Sequence, residues 1–494
     1  MSIFEAEQGR KRRRNNLGMA TPVVGGEEEE ATTDQFSKLP DELAVGILSR
    51  SATTMNEAAR CSSLLGKRWR NMWQLIDSAV LDFNKSDDDD RRSEPQRRRF
   101  VDRVDQAIGL IRQSKTRLDE LKIVFKFTEM EEAGWRWIQF GLGEGVKRLT
   151  LLSLLRPGWE ARDAIPVPLF TPEFVAKQDL SRLEVLEFQG VSMIPGGTLD
   201  HVLSRCHSLQ HLSLNNCSFH DEDTVIRICR PNNDSLQTLT FWCPEEEFHN
   251  VTRIEIVSAP GLRSLKVGGG PVVRRVEFGD DIPQLREFEY CRHIQFAADG
   301  DDPCYFPWSR SESNKFAPRL QFLKYDLTTD NFKPLSARAP EWLRFEKLTV
   351  LDLSIYIDFA GTSMLECTAL LRAAPMLRQL FISFIHLCYY NKWEDPEQEL
   401  PTWKHHSLQV LQLHGVHPSD WQVVDCRKPQ MELAAYIIMA SLSLKQVLID
   451  TKNLRSTAPR EPLQVDAHIS EAKMELEARL SSHTTTSQIH FTYL

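Results

Sequence analysis

One pattern recurs twelve times along the chain: an apolar residue, two others, an apolar residue, one other, and an apolar residue. It begins as Leu118-Leu121-Ile123, Val146-Leu149-Leu151, Leu183-Leu186-Phe188 and Leu209-Leu212-Leu214. It continues as Leu236-Leu239-Phe241, Leu262-Leu265-Val267, Leu285-Phe288-Tyr290 and Leu320-Leu323-Tyr325. The last four copies are Leu348-Leu351-Leu353, Leu377-Leu380-Ile382, Leu408-Leu411-Leu413 and Leu444-Val447-Ile449. Their starts lie 23 to 37 residues apart. Each copy has the alternation of a short strand with every second side chain turned inward. A single copy cannot cover its own apolar face, so neighbouring copies must stack, and the strands then form one parallel sheet.

This is the signature of an irregular leucine-rich repeat. In its clearest copy, Leu209 to Cys217 (LQHLSLNNC), Cys217 takes the Asn/Cys position. The expected fold is α/β, a solenoid with a parallel concave sheet. Two further strand-like pieces, Val251–Ile256 and Val273–Phe278, are expected on the outer face in place of helices, whereas Leu365–Ala374 has a helical pattern. Residues two, four and six places after each first leucine should point out of the concave face. They include His211, Lys266, Glu289, Lys324, Asp326 and Asp352. They also include Trp242, Phe322 and Phe381, the candidates for contact with a target protein, because aromatic side chains facing solvent from a sheet often mark a contact surface.

Composition narrows the function. The chain has 494 residues, 41% hydrophobic and 26% charged, enough for two or three structural units. A net charge of −9 argues against a protein that wraps nucleic acid. The longest apolar stretch, Leu433 to Leu444, is about half of the roughly 20 residues that a membrane span needs. No signal-peptide pattern opens the chain, so a cytoplasmic or nuclear protein with reduced thiols is expected. Lys11-Arg12-Arg13-Arg14 is the kind of basic cluster that nuclear import uses.

No catalytic constellation is visible. None of the ten cysteines has a recognisable catalytic setting. Cys206 and Cys217 read as buried repeat positions, and with His207, His211 and His220 they lack the paired spacing of a structural zinc site. Gly141 to Gly145 (GLGEG) is not a dinucleotide fingerprint, and Gly66-Lys67-Arg68 is not a phosphate loop. No cofactor or metal is expected, and the concave face offers only Lys266 and Lys324 as scattered bases for a small-molecule pocket.

The N-terminal part is organised differently. Residues 1–34 are polar and charged, with the composition of a disordered tail. Residues 35–80 hold three short helical patterns. In the first, Pro40 fits the first helical position, Asp41 and Glu42 occupy the first turn, and Leu43 and Ile47 share a face that Leu48 widens. So small a unit is marginal alone and is expected to lean on a partner. Residues 81–99 read as a charged linker, 100–404 as the solenoid, and 405–494 as the last repeats and a C-terminal segment.

The run LPDELAVGILSR…EAARCSSLLGKRWRNMW closely resembles the F-box of the large plant family that joins this module to leucine-rich repeats. Leu39-Pro40, Leu43, Ile47-Leu48, Ala58–Ser62 and Lys67–Arg70 carry the likeness in order. Residues 405–449 resemble the FBD segment that often ends these proteins. The chain has Ser51-Ala52 where the family usually has Leu-Pro. The resemblance implies a non-catalytic adaptor of an SCF-type ubiquitin ligase, in which the F-box grips a Skp-family linker and through it cullin, and the repeats hold a protein substrate. It further implies that Leu39, Pro40, Leu43, Ile47, Leu48, Leu64, Leu65 and Trp69 are linker contacts or F-box core. The alternative within the same resemblance is an interaction scaffold that promotes no ubiquitination.

Overall fold

The computed structural model describes residues 39–51, 78–82, 94–113, 117–125, 131–153, 165–166, 177, 179–192, 196–217, 224–230, 234–243, 251–269, 275–292, 315–328, 343–357, 364–386, 402–416, 427–450, 470, 473–474, 476–480 and 489–493. Among the described residues, fourteen strands form one sheet, and each hydrogen-bonds to the next in chain order. Every pairing in it is parallel. All twelve copies of the motif supply strands. The second leucines lie directly opposite one another, as in Leu212 against Leu239 and Leu351 against Leu380. Every first, second and third apolar position of the twelve copies is buried, and together they form a continuous core from Phe100 to Leu480. Burying each such leucine or phenylalanine is worth about 1.5–3 kcal/mol, and this periodic burial is the main driving force for stacking.

Stacking is locked at the entry to each strand. The residue after the first apolar position presents its carbonyl to two consecutive N–H groups of the next repeat. Asp119 O accepts from Lys147 N at 2.8 Å and Arg148 N at 3.0 Å, and Thr349 O accepts from Arg378 N and Gln379 N at 2.9 and 3.0 Å. Side chains add a clamp at the N-terminal repeats. Asp119 accepts from Lys147 Nζ at 2.6 Å and from Arg182 Nη2 at 2.7 Å, while Arg182 Nη1 reaches Gly145 O at 2.7 Å. The hydrogen bond from Lys147, aided by Arg182, holds the Asp119 carboxyl below its usual range.

The chain leaves the sheet by a left-handed turn at equivalent places. Gly190, Asn216 and Gly415 have φ of 69°, 50° and 70°, and each stands seven residues after its repeat's first leucine. Glycine and asparagine are the residues that tolerate this region.

The outer layer changes character along the solenoid. Helices Glu94–Gln113, Glu131–Gly143 and Gly196–Arg205 back the first repeats. In the first of these, Phe100, Val104, Ile108 and Ile111 share one buried face, and the Phe100 ring meets Trp137 edge-on at 5.6 Å. The middle repeats are backed by a three-stranded parallel sheet, Thr224–Cys229, Val251–Ser258 and Arg275–Asp281. Two of these strands match the sequence expectation, and Thr224–Cys229 is an addition to it. The outward face of this small sheet carries Arg227–Glu255 at 2.8 Å and Arg253–Glu277 at 3.3 Å. Toward the C-terminus the outer elements are helical again, at Met364–Cys367, Thr368–Ala373 and Arg427–Ala440.

The sheet is longer than the motif count. Strand Ser78–Asp82 pairs with Glu120–Phe125, and His490–Tyr493 pairs with Gln446–Asp450. Helix Glu94–Gln113 likewise begins inside the stretch expected to be a charged linker. Among the described residues, no helix is long and apolar enough to cross a membrane.

Candidate interaction surfaces

The first surface is helix Asp41–Ser51. Ala44 N donates to Pro40 O at 3.0 Å, so proline sits where the helix begins and its missing donor costs nothing. Helical spacing then divides the apolar residues. Ala44 and Leu48 are buried, Leu48 to 1% exposure, while Leu43 and Ile47 remain 56% and 38% exposed. These two are four residues apart and form one apolar ridge. Leu39 is half-buried and Pro40 exposed. Leu48 therefore lies on the interior side of the helix, away from the ridge of Leu43 and Ile47. Leu64, Leu65 and Trp69, and the two further helical patterns of residues 35–80, lie outside the described residues.

The second surface is the concave sheet. Its central row runs across neighbouring strands as Thr240, Lys266, Glu289, Lys324, Asp352 and Phe381. The four charges alternate in sign. Lys266 pairs with Glu289 at 2.8 Å and Lys324 with Asp352 at 3.2 Å. Adjacent strands place such residues about 4.8 Å apart, within reach of long side chains.

Trp242, Phe322 and Phe381 all lie on this face and all are half-buried. They do not converge. Trp242 and Phe381 are five strands apart in the sheet order, about 24 Å at ordinary strand spacing. Phe322 stands between them in a different row, opposite Glu287 and Val350.

Trp242 is held in place by its neighbours. It lies opposite Gly268, and a Cβ built there would sit 2.1 Å from the indole Cζ3. The glycine thus provides the floor on which the ring rests. The Lys266 ammonium stands 5.2 Å from the ring centroid, a cation–π contact. Gly268→Val should tilt the ring off the sheet, seen as a red shift and quenching change in tryptophan emission. An unchanged spectrum would remove glycine from this role.

The end of the concave face nearest the strand exits holds a second row: Gly268, Cys291, Asp326, Ser354 and Ser383. Asp326 differs from expectation. Alternation places it on the solvent side of the strand, yet it is only 6% exposed. Tyr356 Oη stands 3.4 Å from its Oδ2, and Oδ1 has no hydrogen-bond partner. Burial pushes its pKa up to about 7.

Cys206 and Cys217 are both buried, as their repeat positions require. The Cys217 thiol points to Asn215 O at 3.3 Å, and burial pushes the Cys206 thiol up to about 12, far from a reactive thiolate. Among the described residues, no group of three or more His, Cys, Asp or Glu could hold a metal ion. His220 lies outside those residues.

Comparison with known proteins agrees with this architecture. A protein of Arabidopsis thaliana described as an FBD-associated F-box protein is 24% identical over 471 residues, covering 88% of this chain and 92% of its own. An F-box/FBD/LRR-repeat protein of the same plant is 22% identical over 436 residues, covering 85% and 92%. A second F-box/FBD/LRR-repeat protein is 28% identical over 254 residues, covering 48% and 53%. No family model matches the chain. The long parallel sheet built on a leucine repeat agrees with what the chain is similar to over most of its length: F-box proteins of Arabidopsis thaliana described as FBD-associated or as F-box/FBD/LRR-repeat proteins.

Proposed function

We propose that the chain is the substrate-recognition adaptor of an SCF-type ubiquitin ligase and is not itself an enzyme. The F-box docks a Skp-family linker and through it cullin. The concave sheet holds the target protein, and the FBD-like residues from 405 onward close the solenoid. One observation carries the first half of this reading: Leu43 and Ile47 form an exposed apolar ridge on helix Asp41–Ser51, which directly follows Leu39-Pro40. Large apolar side chains exposed in this way on a short helix favour a groove in a partner. The names of the relatives support the same assignment. An adaptor of this kind works in the cytoplasm or the nucleus.

Co-expression with a Skp-type linker tests the proposal. The linker should co-purify with the chain, and Leu39→Ala combined with Pro40→Ala should abolish that retention. Undiminished retention by the double variant would remove this interface. Whether cullin joins the complex, and whether a bound protein becomes ubiquitinated on reconstitution, separates an adaptor from a scaffold that binds without promoting ubiquitination.

A further inference from the structure

The backbone ladder that locks the repeats together also sets a row of side chains along the strand-entry rim. Each residue after a first apolar position donates its N–H to the carbonyl of its counterpart one repeat earlier, as Arg286 does to Arg263, Arg378 to Thr349 and Lys445 to Gln409, each at 2.9 Å. Where the row is neutral at Gln321 and Thr349, the residue two places earlier is basic, Arg319 and Lys347. Arg263, Arg286, Arg319, Lys347, Arg378 and Lys445 are all exposed. They extend over six strand spacings, about 29 Å. Their side-chain hydrogen bonds end on neutral oxygens: Arg263 reaches Gln284 Oε1 at 3.4 Å, and Arg319 reaches Lys315 O at 2.8 Å. Among the described residues, none of these bases meets a carboxylate. Nearby acids are engaged by other lysines: Asp280 by Lys315 at 2.8 Å, Glu289 by Lys266 and Asp352 by Lys324. Glu287 and Glu346 are the exposed acids described beside the row. The N-terminal end of the same rim differs, since Asp119 there holds both Lys147 and Arg182. Positive charge is thus left without a partner on a chain whose net charge is −9. Two exposed apolar side chains stand among the bases. Met376, 46% exposed, holds the position that Lys347 holds one repeat earlier, and Leu442, 55% exposed, lies three residues before Lys445.

We propose that this rim binds an extended acidic segment of a partner protein, its carboxylates facing the bases and its apolar residues resting on Met376 and Leu442. The surface shares no residue with the helix Asp41–Ser51 ridge or the concave row, so the inference does not depend on linker docking. Like charges held at strand spacing raise the local positive potential, which draws in and orients an acidic chain. An extended polypeptide crosses 29 Å in about nine residues. The arginine forks can each take both oxygens of a carboxylate. A single exposed pair of this kind is weak, so affinity comes from engaging several together and falls as salt rises. Met376 and Leu442 favour a polypeptide over a nucleic acid. Apolar side chains can cover them and remove that surface from water, and a phosphate backbone cannot.

The test uses the full chain and fluorescent peptides of about twelve residues, long enough to cross the row. One carries glutamates with two leucines, a second has glutamine for every glutamate, and a third has serine for leucine. A single-stranded oligothymidine of equal charge completes the set. The acidic peptide should bind the unmodified chain roughly tenfold more tightly than the glutamine peptide, and the difference should shrink as salt is raised. This comparison does not depend on a variant folding. Lys347→Glu with Arg378→Glu should weaken acidic-peptide binding roughly tenfold. Arg99→Glu with Arg103→Glu makes the same change in net charge at exposed bases of helix Glu94–Gln113, and should weaken it less than about twofold. Met376→Ser with Leu442→Ser should weaken the leucine-bearing peptide about threefold and leave the serine peptide unchanged. Equal binding of the glutamate and glutamine peptides, equal effects of the two charge reversals, or an unchanged response to the Met376 and Leu442 substitutions would each overturn the inference. Tighter binding of the oligothymidine than of the acidic peptide would overturn it in favour of a nucleic-acid surface.

Discussion

Replacing Phe288 by alanine lowers the stability of the chain by about 3–5 kcal/mol, the range for emptying a large aromatic site in a closed core. Phe288 is the second apolar position of its repeat and is fully buried. Its ring meets Phe278 of the outer sheet at 5.7 Å and 85°, and Phe316 of the following turn at 5.9 Å and 71°. It therefore joins the concave sheet to the outer sheet and one repeat to the next. Phe316 and Tyr290, which pack around it, cannot close the gap without leaving their own positions. Stacked repeats depend on contacts with nearest neighbours, so the loss spreads as a break in cooperativity. Urea unfolding should show a lower midpoint and a shallower transition in the variant. Phe288→Leu, which keeps most of the volume, should cost less than half as much. An alanine variant with the parent's midpoint would mean that the two layers are not coupled through this ring.

His405→Ala destabilises the C-terminal repeats by about 2–4 kcal/mol, because it strips partners from several buried backbone groups at once. His405 is only 4% exposed. Its Nε2 faces Ala374 O at 3.0 Å, and its Nδ1 accepts from Leu408 N at 3.1 Å and Ser407 N at 3.3 Å. A carbonyl on one side and two N–H groups on the other require the neutral ring protonated on Nε2. The backbone of the same residue donates to Ala440 O at 2.7 Å and accepts from Leu442 N at 2.9 Å, so three successive repeats meet here. Burial lowers the imidazole pKa, against a smaller opposing effect of the Ala374 bond. The folded pKa is thus below the unfolded value of about 6.5. The unfolded chain binds the extra proton more readily, so this contribution is complete above the unfolded pKa and is lost as pH falls below it. Thermal melts should show the parent losing stability between pH 7 and pH 5. The alanine variant should start lower and lose less over the same interval. Parallel pH profiles would rule out His405 as the source.

Much of the fold is legible in the sequence because its dominant force is periodic. Alternate leucines at fixed spacing specify strand, face and stacking together, and all twelve copies take their expected places in the sheet. The two outermost strands escape this reading for a physical reason. Ser78–Asp82 places Ala79 opposite Leu121, and His490–Tyr493 follows Gln488 where an apolar residue would mark the repeat. End repeats have one neighbour only, so the demand for large apolar residues is relaxed and the motif fades. Thr224–Cys229 does alternate, with Ile226 and Ile228 buried, but it carries no leucine signature to announce a second layer.

The candidate surfaces are legible to a smaller extent. Alternation correctly turns Trp242, Phe322 and Phe381 to the concave side, but it says nothing of their separation along the sheet. It also cannot foresee cover, which is why Asp326 reads as solvent-facing and is found buried. Gly268 looks like an interruption of a strand until the indole of Trp242 is seen lying across it. On helix Asp41–Ser51 the apolar residues read as one broad stripe, and only the fold divides Leu48, turned inward, from Leu43 and Ile47.

The most direct test of the adaptor account is assembly of the full chain with a Skp-type linker and cullin, followed by size-exclusion chromatography with light scattering. The account predicts one complex containing all three chains. Leu43→Asp with Ile47→Asp should release the chain from it while leaving the solenoid's thermal melt unchanged. A complex that survives these two substitutions, or a chain that retains no linker at all, would contradict it.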